Sequence, residues 1–427
     1  MSVQKITFKN YKSFEQEQVF EIKPITIVIG KNNSGKSALI KLPLMLNEWL
    51  SGNNDLLLNY HKELSFAKNW KELFFNGVEN KALEFTINMG HQSELEISVH
   101  LKLNEYKYLI TYLEWKYFDE SEWKAAWDGK DLKKPVYIVS QKGKEPYEYT
   151  QNGKKLFQGL RPTSRLTKVD YSSDDEYDLQ DLLSEIGFFQ YFTGIRHTFS
   201  DANMSFDALK KQDLDVKGEF AVHALYQSPN LLEKVRDWYI NNMEGWGIDI
   251  EKNEENDGFY LFLKDFNKKA GTKVPITQTG QGITQVLPLV VATLDDNIDI
   301  FEINSTYGIF QHKTIIIEQP ELHIHPAAHG SLVELFAESA IKNGHNYILE
   351  THSEVMLLRI RRLVAEGKLK PEQVAIYWID TEEGSEGKRS FLKKIAIDEE
   401  GNLDGWPTGV FSEDYNELMH IRKARKK

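Results

Sequence analysis

Residues 30–37 read Gly30-Lys31-Asn32-Asn33-Ser34-Gly35-Lys36-Ser37, two glycines set five apart with a lysine and a serine directly behind the second. Those residue types at that spacing bind phosphate. The glycines let the backbone wrap a phosphate chain, and a helix starting behind them aims unpaired N–H groups and its positive dipole end at the anion. Lys36 is then the side chain that reaches the β- and γ-phosphates, and Ser37 the hydroxyl that holds Mg2+. The flanks suit the motif. Ile25, Ile27, Val28 and Ile29 form an apolar run that reads as a buried strand, and residues 38–50 carry helix formers and no glycine.

A second glycine-rich stretch, residues 278–285 (QTGQGITQ), leads into the apolar run VLPLVVATL. Thr279, Gly280 and Gly282 at a helix start read either as another anion site or as a loop with an N-cap. Residues 314–321 (TIIIEQPE) put a carboxylate, Glu318, at the end of a short buried strand, the end at which parallel sheets bind ligands. Glu318 is therefore expected to share Mg2+ with Ser37. Residues 346–349 predict a further strand, and Glu350-Thr351-His352-Ser353 follows it. His352 reads as a donor to a γ-phosphate or an orienter of water, with a capping histidine as the plain alternative. His323 and His325 alternate as on an extended segment without an obvious third metal ligand, and Asp380 is a lone acid, so no second, nuclease-type metal centre is legible. Arg196, in Thr193-Gly194-Ile195-Arg196, is either a rigidly presented phosphate-binding or trans-acting arginine or an ordinary ion-pair residue.

Positioning these groups requires strands that end beside the P-loop, and the chain supplies them in two blocks. Residues 3–29 read as a hairpin feeding the P-loop strand, and residues 83–117 alternate apolar and polar side chains as an antiparallel sheet. Trp115, Trp123 and Trp127 read as packing residues rather than a base-stacking platform. Residues 179–192 and 221–241 predict amphipathic helices, and the acidic run 170–178 is expected to be exposed. The resulting expectation is an α/β fold with an added antiparallel β-sheet and a mixed, partly helical insertion. Its divisions are residues 1–119 and 271–380 as the two halves of one P-loop unit, 120–270 as an insertion and 381–427 as an extension with a basic tail.

At 427 residues the chain is long enough for two or three cores, and 41% hydrophobic with 27% charged residues is a globular composition. It has no cysteine, which excludes disulfides, thiolate metal sites and a cysteine nucleophile. No signal-like core or membrane-length apolar run is evident, so a cytoplasmic protein without membrane association is expected. A net charge of −12 argues against a generally basic nucleic-acid coat. Two local basic clusters, residues 422–427 and residues 154–168 with Arg161 and Arg165, read as phosphate-binding patches or as a solubilising tail and a solvated loop.

The order of motifs resembles the ABC-type ATPase heads of the SMC, RecF and OLD group, and more narrowly the stand-alone AAA-family ATPases of bacterial DNA-maintenance and phage-defence loci. The likeness is carried by ITFKNYKSF and ITIVIGKNNSGKS at the N-terminus, by the 278–285 signature, and by ELHIHP and ETHSE further on. The stretch from Ile397 to Phe411 resembles a C-terminal domain of unknown function found behind such ATPases. This resemblance implies ATP and Mg2+ as cofactors. It also implies a homodimer or higher oligomer, the P-loop of one head facing the Thr279, Gly280 and Gly282 signature of the other. DNA and a separately encoded effector are the partners it suggests. One position departs from the pattern. Where these heads place a water-activating glutamate after the metal-holding acid, this chain has Gln319, which can orient water but cannot take its proton. Glu321 and His352 are then the candidate substitutes for slow hydrolysis, and ATP binding without hydrolysis, gating a scaffold, is the alternative. A small-molecule P-loop kinase would need a lid-like arginine cluster near the P-loop and would leave the signature and His352 without a role.

Overall fold

A computed structural model describes residues 2–51, 56–61, 64–78, 81–90, 94–104, 107–118, 120–150, 156–162, 168–169, 177–178, 189–196, 216–218, 220–252, 259–268, 271–295, 313–384, 387–405, 419–420 and 422. Its centre is a six-stranded sheet in the order Phe189–Phe192, Thr314–Glu318, Asn346–Glu350, Ile25–Gly30, Val374–Gly384, Gly387–Ile395. The first five strands are parallel and the last is antiparallel. Parallel strands covered on both faces need apolar residues at consecutive positions, and ITIVIG, TIIIE and NYILE supply them.

Successive side chains point to opposite faces of a strand, and the two cores divide accordingly. Val28, Ile316 and Ile348 join one core, shared with the P-loop helix Lys36–Ser51 and a large antiparallel sheet. Ile27, Ile29, Ile315, Ile317 and Leu349 join the other, filled by helices Gln281–Leu294, Pro326–Asn343 and Glu354–Ala365. The α/β P-loop architecture with an added antiparallel sheet is thus present.

That added sheet has eight strands: Lys144–Thr150, Val136–Gln141, Glu120–Trp127, Lys107–Tyr117, Leu95–Asn104, Leu83–Met89, Val3–Lys9 and Gln18–Glu21. It runs without a break across residue 120, so the division expected at 119/120 falls inside one sheet. Trp115 and Trp123 face each other across neighbouring strands, both buried, as packing residues. Likewise the strand Val374–Gly384 spans the division expected at 380/381, and the extension's first strand, Gly387–Ile395, completes the central sheet.

Two helix expectations are corrected. Residues 189–192 form a strand paired in parallel with Thr314–Glu318, because that partner offers backbone hydrogen bonds a local helical pattern cannot reveal; residues 179–188 lie outside the described residues. The stretch 221–241 is two helices, Phe220–Gln227 and Pro229–Asn242, divided where Ser228 caps the second helix and Pro229 opens it. In the acidic run only Tyr177–Asp178 is described, as a short strand against Lys168–Val169. Arg161, from the basic stretch, donates to the Leu50 carbonyl rather than standing free. Arg165 and, apart from Arg422, the basic tail lie outside the described residues.

Candidate nucleotide site

The P-loop leaves the central strand at Gly30 and enters its helix at Lys36. Gly35 has φ +101°, a conformation that glycine adopts freely, and a side chain there would meet the Ser13 hydroxyl at 2.8 Å. Lys31, Asn32 and Asn33 are exposed, whereas the Ser34 hydroxyl is buried with no hydrogen-bond partner. The Lys36 ammonium folds over the loop, donating to the carbonyls of Gly30 at 3.0 Å and Lys31 at 2.8 Å. Burial pushes its pKa down, partly offset by Glu350.

Two acids end neighbouring strands at this loop. Glu318 and Glu350 are in register with each other, and Glu350 is in register with Val28. The sequence reading joined Ser37 to Glu318. That expectation concerned a shared Mg2+; in the structure the Ser37 hydroxyl itself donates to Glu350 at 2.9 Å. Glu318 is drawn instead to the Tyr191 hydroxyl, to Lys41 at 3.4 Å and to the Gly194 N–H at 3.4 Å. Burial, with Glu318 alongside, pushes the Glu350 carboxyl up to about 7 against the opposing pull of Ser37, Lys36 and Lys41. Burial and the adjacent Glu318 also hold the Tyr191 phenol well above its usual range.

Past Glu318 the chain turns sharply. Gln319 has φ +43°, and its N–H donates to the Glu350 carbonyl at 2.7 Å. After Pro320, Glu321 accepts the His352 N–H at 2.7 Å through Oε1, while its Oε2 is buried without a partner. Desolvation and Lys36 push the His352 imidazole below its usual pKa, with Glu321 opposing. Gln319, Glu321 and His352 are therefore gathered at one end of the sheet. His325 instead caps the helix Pro326–Asn343 by accepting the Ala327 N–H, and Asp380 pairs with Lys393.

Arg196 is also corrected. It is 1% exposed, and its guanidinium donates to the carbonyls of Gln285, Glu318 and Gln319 at 3.3, 2.8 and 3.1 Å. The Gln285 amide pairs with the Arg196 backbone in both directions. Arg196 thus ties the signature helix to the end of the Glu318 strand; it presents nothing to solvent. In the signature, Thr279 bonds back to the Ile276 carbonyl, and Gly280 is exposed, with nothing within 4 Å of where a Cβ would stand. A side chain on Gly282 would meet the His323 carbonyl at 2.4 Å.

Sequence reasoning missed four supporting residues. Tyr191 was hidden in a stretch read as helix. Lys41 sits one helical turn past Ser37, a spacing that places both on one face. Glu350 stood in plain view at a strand end. His329 bridges the Ser353 hydroxyl at 2.9 Å and the Ile324 carbonyl at 3.1 Å, joining the two loops behind Glu318 and Glu350; no local signal marks it.

Carboxylate and hydroxyl oxygens at the head of the P-loop helix suit a hard divalent cation, and the unpartnered Ser34 hydroxyl and exposed loop N–H positions suit phosphate. P-loop, strand-end acids and signature helix together define a P-loop ATPase. The model of the family described as "AAA ATPase domain" matches residues 1–357, and the chain belongs to that family. A second model, "Protein of unknown function (DUF3696)", matches residues 369–421. No curated protein matches. Among solved structures the chain is similar to the SMC head domain from Thermotoga maritima, at 11% identity and TM-score 0.41 over 93% of this chain and 100% of that one. It is also similar to an SMC head bound to the C-terminal winged-helix domain of ScpA, at 12% identity and TM-score 0.46 over 93% and 98%. A third is the Smc head with an extended coiled coil bound to the C-terminal domain of ScpA from Pyrococcus furiosus, at 11% identity and TM-score 0.45 over the full length of both.

Proposed function

We propose that this ATPase hydrolyses ATP slowly in a Mg2+-dependent reaction and dimerises through nucleotide held between two heads. The observation that carries the reading is the arrangement of Glu321 and His352. One Glu321 oxygen is fixed by the His352 N–H while the other is buried without a partner, and His352 feels both Lys36 and Glu321. In this reading the P-loop N–H groups and Lys36 bind the phosphates, Ser37 and a strand-end acid hold Mg2+, and Gln319 orients water. Glu321 takes the proton. Mg2+, when bound, neutralises charge developing on the phosphate oxygens.

Dimerisation is supported by the placement of the signature. Its helix belongs to the core on the opposite face of the sheet from the P-loop helix, and Gly280 is exposed. A signature on that face is free to meet a second chain. On the motif resemblance the process served is DNA maintenance or phage defence in the cytoplasm, with an effector protein as partner. Among the described residues no helix is long and apolar enough to cross a membrane.

Gln319 favours one other reading, a nucleotide-gated scaffold that sequesters and releases an effector without hydrolysis. Phosphate release from ATP and Mg2+, with Lys36→Ala as the blank, separates the two. Turnover above the blank supports the ATPase. ATP binding without turnover, with and without DNA, supports the scaffold, and no ATP binding at all refutes both.

A further inference from the structure

Glu350 is 4% exposed, and its Oε2 accepts the Ser37 hydroxyl at 2.9 Å. A buried carboxylate is unfavourable unless a positive charge or several donors face it. Lys36 and Lys41 lie close enough to act on Glu350 through space, but their direct contacts go elsewhere. Lys36 hydrogen-bonds to the carbonyls of Gly30 and Lys31, and Lys41 pairs with Glu318. Glu318, whose position in the sequence suggests the metal-holding acid, is engaged by Tyr191 and Lys41. The carboxylate one hydrogen bond from the hydroxyl that P-loops use for a cation is Glu350.

We propose that Glu350, rather than Glu318, is the carboxylate that works with Ser37 to hold the divalent cation accompanying the nucleotide. The proposal rests on reading the P-loop as an ATP site and adds the group that makes that site select the metal complex over free nucleotide. Without a cation, the Glu350 charge repels the phosphate chain. With one between them, the same charge attracts the complex. Glu350 therefore sets the metal dependence of binding rather than its baseline strength.

The test is calorimetric titration of the full-length protein with ATP, in Mg2+ and in EDTA. Glu350→Gln keeps an acceptor for Ser37 but removes the charge. It is expected to lose roughly tenfold or more of the affinity gained from Mg2+, to bind ATP in EDTA at least as tightly as the wild type, and to lose more of the Mg2+ gain than Glu318→Gln. Glu350→Asp, which keeps the charge on a shorter arm, is expected to weaken the Mg2+ gain while leaving binding in EDTA near wild type. If the Gln variant does not fold, the Asp variant carries the test. A wild-type Mg2+ gain in either folded variant overturns the assignment, as does a parallel loss in Mg2+ and EDTA. Wild-type protein that binds ATP in neither condition overturns the nucleotide-site reading itself, and this assignment with it.

Discussion

Gln319 is held in place by its backbone rather than by its side chain. Its N–H is bound to the Glu350 carbonyl, its own carbonyl accepts from Arg196, and its φ of +43° turns the chain toward Glu321. An acid placed there inherits this position. Gln319→Glu is therefore expected to raise steady-state phosphate release by about tenfold, since a carboxylate can accept the proton that an amide cannot. Glu321→Gln is expected to lower release about a hundredfold while ATP binding in Mg2+ persists. If Glu321→Gln turns over at the wild-type rate, water activation lies elsewhere.

At the level of elements, the signature helix separates two glycines that look equivalent in sequence. Gly282 packs against the His323 carbonyl, a backbone atom that cannot swing aside, whereas Gly280 faces open space with an ordinary φ of −63°. Gly282→Ala is expected to cost about 1–3 kcal/mol in urea unfolding through overpacking. Gly280→Ala is expected to stay within about 0.5 kcal/mol of the wild type and yet to weaken any ATP-dependent dimer seen by sedimentation. Gln285→Leu removes both hydrogen bonds to the Arg196 backbone. A loss of about 2–4 kcal/mol is expected, because buried N–H and C=O groups are left unpaired; a change below about 0.5 kcal/mol would show that the Arg196 staple is dispensable.

The whole molecule does not divide where the two family matches divide it. The strands Val374–Gly384 and Gly387–Ile395 belong to the same sheet as the P-loop strand, with Ile27 paired to Ile376 and Gly30 to Ile379. A chain ending at residue 357 would leave one edge of the P-loop strand without hydrogen-bond partners and uncover apolar Ile376 and Trp378 contacts. Such a truncation is expected to be insoluble or to unfold without a cooperative transition, measured by soluble yield and urea titration. A stable, ATP-binding fragment 1–357 would show that the last two strands only decorate the sheet.

Local chemistry was legible without the fold. Gly30 to Ser37, the apolar strand before them, the strand-end Glu318, the turn into Glu321 and the position of His352 all lie in short stretches whose residue types carry their own physical meaning. The alternating strands 83–117 were legible for the same reason, because side-chain period is a local property. What depended on distant partners was not. The strand Phe189–Phe192 exists because Thr314–Glu318, more than a hundred residues on, pairs with it in parallel. Arg196 is a buried staple because Gln285, Glu318 and Gln319 converge on it. Ser37 meets Glu350, while Tyr191 and Lys41 engage Glu318. Residue types and spacing were enough to establish that this chain builds a phosphate loop with acids at neighbouring strand ends. Which acid the Ser37 hydroxyl meets was settled by the fold, since that pairing involves groups that come together only when the sheet assembles.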